Sequence, residues 1–294
     1  MTNECLTAKN IVKNYKEKKV LKNINLTLEP NKIYGLIGRN GTGKTTLLSV
    51  LSAQAKATDG EVKLGNAAVW ENQEVLNQIC FSREITTAGI VGGLKVKEYL
   101  FTAEQYMPNW DKDYANRLLK TFGLEKTKKE RINKLSKGMM SMLTIVVALA
   151  SKAPYTFLDE PVAGLDIVAR EQFYKLLLEE YTETGRTFVI STHIIEEAAD
   201  LFEETIFLKD GEILLQENTH SLIERSVQIT GREDEVEKCL NGVRAYHKET
   251  FGRSLNLIAI SEPGQSLNRL ADVDITPVNL EKVFLALCGE EEKE

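Results

Sequence analysis

The chain has 294 residues, 43% of them hydrophobic and 27% charged, with a formal net charge of -6. That length accommodates one large α/β domain and a small appendage, and the acidic balance argues against general nucleic-acid binding, which draws on cations to neutralise phosphates. The cysteines Cys5, Cys80, Cys239 and Cys288 form no CxxC pair, the N-terminus has no signal-peptide pattern, and the longest apolar run, 142–150, falls far short of the roughly 20 residues that cross a bilayer; a reduced cytosolic compartment is expected, with any membrane role exerted through a partner.

Strand-like runs over 6–14 and 21–28 open the chain and end at the turn Glu29-Pro30-Asn31. A compact apolar strand over 32–37 leads through a glycine-rich turn into a helix over 44–51. Residues 62–64 and 67–69 read as a hairpin around Gly65-Asn66, and a further strand is expected over 79–81. From about 96 to 150 the chain reads as mostly helical. Leu100, Glu104, Leu118, Leu119 and Phe122 recur at helical spacing, and Pro108 breaks the run. Strands then alternate with helices: strand 156–158, helix 168–181, strand 187–191, helix 194–202, and a hairpin of 205–209 and 212–216 through Asp210-Gly211. This alternation predicts a parallel sheet with helices on both faces. Composition shifts after His220. Residues 225–261 read as a strand–helix–strand–strand unit, with strands over 226–230 and 255–260 and a helix over 235–240. An amphipathic stretch over 280–287 precedes an acidic tail expected to lack order.

The strongest motif is Gly38-Arg39-Asn40-Gly41-Thr42-Gly43-Lys44-Thr45-Thr46, which matches G-x-x-x-x-G-K-[ST] between a predicted strand and a predicted helix. Glycines let the backbone turn tightly enough to aim several N–H groups at one phosphate chain. The helix that starts here adds its positive end. Lys44 places a charge near the β- and γ-phosphates, and the Thr45 hydroxyl can ligate Mg²⁺. ATP and Mg²⁺ are therefore the expected ligands. Further on, Tyr155-Thr156-Phe157-Leu158-Asp159-Glu160-Pro161 reads as an apolar strand ending in two carboxylates. A parallel strand presents its C-terminal end at the same sheet edge as the phosphate loop. Asp159 can then reach Mg²⁺, and Glu160 can orient the attacking water or accept its proton.

These two motifs mark a P-loop NTPase; a third narrows the class. Leu135-Ser136-Lys137-Gly138-Met139 precedes a helix and the Asp159-Glu160 strand, and it resembles the ABC signature, LSGGQ in its commonest form. Ala163-Gly164-Leu165-Asp166 resembles the D-loop, Ser191-Thr192-His193 the switch region, and Tyr15 the aromatic residue that stacks on adenine. The resemblance covers roughly residues 5 to 220. It implies the ABC ATPase fold: an α/β P-loop core with an antiparallel β subdomain and a helical subdomain over about 85–152. The nucleotide-binding domain would span 1–220 and a small α+β accessory domain 221–294.

The family resemblance also implies a mechanism. Two cassettes, as homodimer or heterodimer, pack head to tail, so that Ser136 and Gly138 face the partner's γ-phosphate while His193 and Glu160 hold the water. Two departures stand out. Glu84 occupies the place of the Q-loop glutamine, where a carboxylate can still bind Mg²⁺, and Met139 replaces the final glutamine of the signature. The C-terminal stretch resembles ATP-binding subunits of bacterial ABC-2-type exporters, which serve peptide, lipid or drug efflux, and Ser82-Arg83-Glu84 resembles cassettes of peptide exporters. This implies a separate integral membrane subunit, docked near residues 84–107, with the cassette peripheral on the cytoplasmic face of the membrane. A regulatory cassette with weak hydrolysis in a heterodimeric transporter is an alternative reading motivated by Glu84 and Met139. A non-transport ABC protein is another.

Overall fold

The computed structural model describes residues 4–262 and 264–289; the acidic tail over 290–294 lies outside them. The alternating N-terminal runs form an antiparallel pair, β1 (Leu6–Tyr15) and β2 (Lys18–Leu28), followed by β3 (Ile33–Ile37), which is buried along its whole length. β4 (Asp59–Leu64) and β5 (Ala67–Ala68) form the hairpin around Gly65-Asn66 and complete a sheet of order β2-β1-β4-β5. β6 (Ile79–Ser82), β7 (Tyr155–Asp159), β8 (Thr187–Thr192), β9 (Glu204–Lys209) and β10 (Glu212–Asn218) join β3 in a six-stranded sheet of order β10-β9-β3-β8-β7-β6. Within that sheet only the β9–β10 pair is antiparallel.

Side chains alternate along each central strand, and both faces of the sheet are covered. Ile33, Ile37, Leu158, Phe188, Ile190 and Phe207 meet the helical side, where Leu143, Ile145 and Phe173 pack. Tyr34, Leu36, Phe157, Val189 and Ile206 meet the other side. That second face carries the helix Lys44–Leu51 together with the antiparallel sheet, so helices alone do not cover it. The stretch expected to be helical contains Val96–Tyr106, Lys112–Thr121 and Lys137–Ala150.

One expected helix is replaced. Over 194–202 a single 3₁₀ turn forms, Ala199–Leu201. Ile195, Ala198 and Phe202 are buried, and their spacing imitates a helical stripe. The Thr192 hydroxyl takes the Ile194 N–H at 2.9 Å, an alternative to helical bonding. Phe202 covers Gly35 so closely that no side chain fits there, and the next residue, Glu203, bonds through its N–H to the Ile33 carbonyl at 2.9 Å. The chain is thus drawn toward the sheet before a helix can extend.

β11 (Ser226–Arg232), β12 (Arg244–Phe251), β13 (Ser254–Ile260) and β14 (Val273–Pro277) form an antiparallel sheet of order β12-β13-β11-β14 around its own core of Ile229, Val236, Cys239 and Leu257. β14 has no counterpart among the sequence expectations; it is a short edge strand ending in Pro277, a residue that strands tolerate only at edges. The helix Leu280–Cys288 returns to the main body. Phe284 meets Phe207 edge-on at 5.3 Å, and Leu280, Val283 and Cys288 enter the helical-side core.

A buried charge cluster fixes the helix Lys137–Ala150. The Arg186 guanidinium donates to the carbonyls of Ala148, Leu149 and Ala153 and to the Thr156 hydroxyl, and it pairs with Glu180 at 2.8 Å. Lys152 holds the other oxygen of Glu180 at 2.7 Å. Arg186 therefore satisfies the carbonyl end of that helix, where a cation is favoured, and ties it to β7. Removing Arg186 leaves the buried Glu180 with Lys152 alone and takes the guanidinium donors from the Ala148, Leu149 and Ala153 carbonyls. Arg186→Ala is expected to destabilise the fold by about 3–5 kcal/mol, read as a lowered urea midpoint.

Candidate functional site

The phosphate loop begins where β3 ends. A side chain at Gly38 would put its Cβ 2.6 Å from the Leu208 carbonyl and 2.7 Å from the Thr42 hydroxyl, so only glycine fits. Gly41 and Gly43 hold φ of 81° and 110°, the left-handed region open to glycine. Asn40 lies exposed on the loop, and Thr46 is half-buried on the first helical turn. Lys44 is buried, and its ammonium donates to the Gly38 carbonyl at 2.7 Å while standing 3.4 Å from Oε1 of Glu160. Thr45, beside it, donates its hydroxyl to Oδ2 of Asp159 at 2.6 Å.

The parallel register brings the ends of β7 and β8 together. Asp159 pairs with Ser191, and the Ser191 hydroxyl donates to Oδ1 of Asp159 at 2.5 Å. Asp159 thus receives one hydroxyl on each oxygen. Glu160 takes φ 49°, a left-handed conformation that costs a non-glycine residue of order 1 kcal/mol or more. Its N–H is held by both the carbonyl and the hydroxyl of Ser191 at 3.1 Å, which offsets that cost. Its carboxylate spans the site from Lys44 to Nδ1 of His193 at 2.7 Å. A carboxylate only accepts, so in this contact Nδ1 carries the proton.

Ser136 caps the helix Lys137–Ala150 by accepting from the Met139 N–H at 3.2 Å. Gly138 lies against the 163–165 loop, where an added Cβ would come 2.8 Å from the Gly164 carbonyl. Ser141 donates to the Ala163 carbonyl at 2.7 Å. Asp166 caps the next helix, Ile167–Thr184, through the Ala169 N–H at 2.9 Å. Tyr15 ends β1 with 49% of its surface exposed and the Lys13 ammonium 4.8 Å from its ring. Within one chain, then, Lys44, Thr45, Asp159, Glu160 and His193 converge. Ser136 and Asp166 each cap a helix, and Gly138 packs on the loop that precedes Asp166.

Glu84 lines the same pocket as Asp159 and Glu160 but pairs with Lys137 at 3.5 Å. Among the described residues, no group of three or more His, Cys, Asp or Glu side chains is arranged to hold a metal. The donors that do converge, a threonine hydroxyl and a carboxylate, are hard oxygens. They suit Mg²⁺, which is usually held by one or two carboxylates together with substrate phosphates and water. Sequence reasoning passed over two residues here. Ser191 was read only as part of the switch run, although its place at a strand end was the available signal. Lys137, a second departure from the signature where the commonest form has glycine, had no signal beyond that substitution.

The family model for ABC transporter matches residues 21–163. The taurine import ATP-binding protein TauB of Escherichia coli O157:H7 is 32% identical over 201 residues, 67% of this chain and 76% of that protein. The chain belongs to the ABC transporter ATP-binding family. The bacitracin transport ATP-binding protein BcrA of Enterococcus faecalis is 29% identical over 97% of this chain and 96% of its own length. The ABC transporter ATP-binding protein YtrB of Bacillus subtilis (strain 168) is 26% identical over 92% and 93%. The dimeric structure of a bacterial ABC transporter cassette superposes with a TM-score of 0.64 at 28% identity, covering 73% of this chain and 98% of that one. The ABC cassette described here is thus an ATP-binding ATPase coupled to transport, of a family whose cassettes dimerise and work with membrane subunits.

Ser191→Ala removes the donor to Asp159 and one of the two supports of the Glu160 N–H. Hydrogen bonds to charged groups are worth about 1.5–3 kcal/mol, so kcat for ATP hydrolysis is expected to fall roughly tenfold or more, with nucleotide affinity little changed. Steady-state ATPase assays alongside equilibrium nucleotide binding check both halves.

Proposed function

We propose that this cassette powers an exporter of peptides, lipids or drugs through a separate membrane subunit, as a peripheral protein on the cytoplasmic face of the membrane. One observation carries the reading. The likeness to the bacitracin transport ATP-binding protein runs through 97% of the chain, including the C-terminal sheet, whereas the likeness to the taurine import protein covers 67%. No helix of the described residues is long and apolar enough to cross a membrane, so the translocation path would belong to another chain. The division into a nucleotide-binding domain over 1–220, with a helical subdomain at about 85–152, and an accessory domain over 221–294 is part of the same proposal. It is supported by the separate core of the C-terminal sheet.

In this reading Tyr15 stacks on adenine. Gly38, Asn40, Gly41 and Gly43 present backbone N–H groups to the phosphates, with Thr46 on the first turn of the helix. Lys44 turns from the Gly38 carbonyl to the β- and γ-phosphates. Thr45, Asp159 and Glu84 would hold Mg²⁺, which when bound neutralises phosphate charge. Glu160 accepts the proton of the attacking water, and His193, oriented by Glu160, contacts the γ-phosphate. Ser136 and Gly138, with Asp166 in the loop behind them, cover the nucleotide held by the partner cassette, whether a second copy or a related chain. The N–H groups of the helix Lys137–Ala150 favour an anion at that end.

Glu160→Gln keeps the shape of the site and removes the base. The variant is expected to bind ATP, to pair in an ATP-dependent way with itself or a companion cassette, and to lose hydrolysis by at least about two orders of magnitude. Size-exclusion chromatography and phosphate release read these directly. Full turnover in this variant would remove Glu160 from its role. Recovery of the chain with ribosomes or DNA, and without a polytopic membrane protein, would overturn the transport assignment.

A further inference from the structure

We propose that Lys137 sets the magnesium requirement of the nucleotide site by competing for the Glu84 carboxylate. The inference rests on the reading of Glu84 as a metal ligand. Lys137 Nζ lies 3.5 Å from Glu84 Oε1, and both residues line one pocket with Asp159 and Glu160. The lysine stem lies over Gly164, so close that a Cβ there would come 2.9 Å from Lys137 Cγ. The stem rests against Gly164, and from there the ammonium reaches Glu84.

The position of this cation is physically odd. Lys137 is the first residue of the helix Lys137–Ala150, the end at which the helix dipole disfavours positive charge. The compensation from Glu84 is modest, because the side chains are 57% and 67% exposed and exposed ion pairs contribute little to stability. The arrangement makes more sense from the standpoint of the pocket. Glu84, Asp159 and Glu160 gather negative charge there. Lys44 stands 3.4 Å from Glu160, Thr45 and Ser191 cover Asp159 with hydroxyls, and Lys137 pairs with Glu84. An oxygen that attracts an ammonium is a weaker ligand for a divalent ion, so the two cations compete. Neutralising Lys137 leaves Glu84 more negative toward the metal, and neutralising Glu84 removes the prize of that competition. The two substitutions therefore act in opposite directions. A purely structural tie between the 82–84 segment and the signature would make them act in the same direction.

The test is the magnesium dependence of binding of a non-hydrolysable ATP analogue to the full chain, read by calorimetry. Lys137→Gln is expected to bind magnesium roughly two- to fivefold more tightly than the wild type, the range of an exposed ion pair. Glu84→Gln should bind it more weakly, the double variant should match Glu84→Gln, and Lys137→Arg should restore wild-type behaviour. Unchanged or weaker magnesium binding in Lys137→Gln, with magnesium binding weakened in Glu84→Gln, overturns this inference and leaves the assignment of Glu84 standing. An unchanged requirement in Glu84→Gln overturns both, while nucleotide binding itself still reports on the cassette.

Discussion

The parallel register of β3, β8 and β7 is the constraint on which the site depends. Ile37 pairs with Thr192 and Asp159 with Ser191, so three strands end at one sheet edge and deliver the phosphate loop, the switch residues and the carboxylates side by side. The carboxylate of Asp159 turns that register into chemistry. Each of its oxygens accepts a hydroxyl from a different segment. Such charge-assisted bonds are stronger than neutral ones, and together they hold the loop after β3 and the end of β8 to the end of β7. The left-handed turn at Glu160 is tolerated because Ser191 satisfies its N–H twice over. The strain falls where a carboxylate must leave the strand direction and reach both Lys44 and His193.

The helix Lys137–Ala150 is held at both ends by different physics. At its carbonyl end Arg186 is buried and bonded on every side, which makes that end rigid with respect to β7. At its amino end Ser136 supplies the cap, and the contacts to Ala163 and Gly164 involve small residues and backbone. One end is anchored by buried charge, and the other is capped by Ser136 and packed through glycine, with helix N–H groups that favour an anion. The exposed pair of Glu84 and Lys137 lies at this presented end of the helix; the buried pair sits at the anchored end.

The C-terminal sheet has its own core, yet the helix after it belongs to the main one. Phe284 meets Phe207 on β9, and Leu280 and Val283 share the core that contains Ile195 and Ala198. Those two residues lie just beyond His193 in sequence. The residues that follow the switch histidine and the helix Leu280–Cys288 thus contribute to one core, which links the C-terminal sheet to the main body through apolar packing.

The phosphate loop, the paired carboxylates and the signature were legible in sequence because each is local. Glycines at Gly38 and Gly43, a lysine at the start of a helix and an apolar run ending in Asp159-Glu160 are short-range requirements written in consecutive residues. The fold class was legible for a related reason, since alternating strand and helix periods survive in the chain without any knowledge of contacts. The helix expected over 194–202 failed because its apolar spacing reports burial and cannot say what does the burying; the sheet and Gly35 took those residues instead. Nor could a single chain reveal that Glu84 meets Lys137, that Ser191 serves both carboxylate residues, or that Arg186 closes the helix that begins at Lys137. These are contacts between residues far apart in sequence, made by side chains of ordinary composition. Such pairings exist only once parallel strands and packed helices have brought distant segments to hydrogen-bonding distance, so only the tertiary structure decided them.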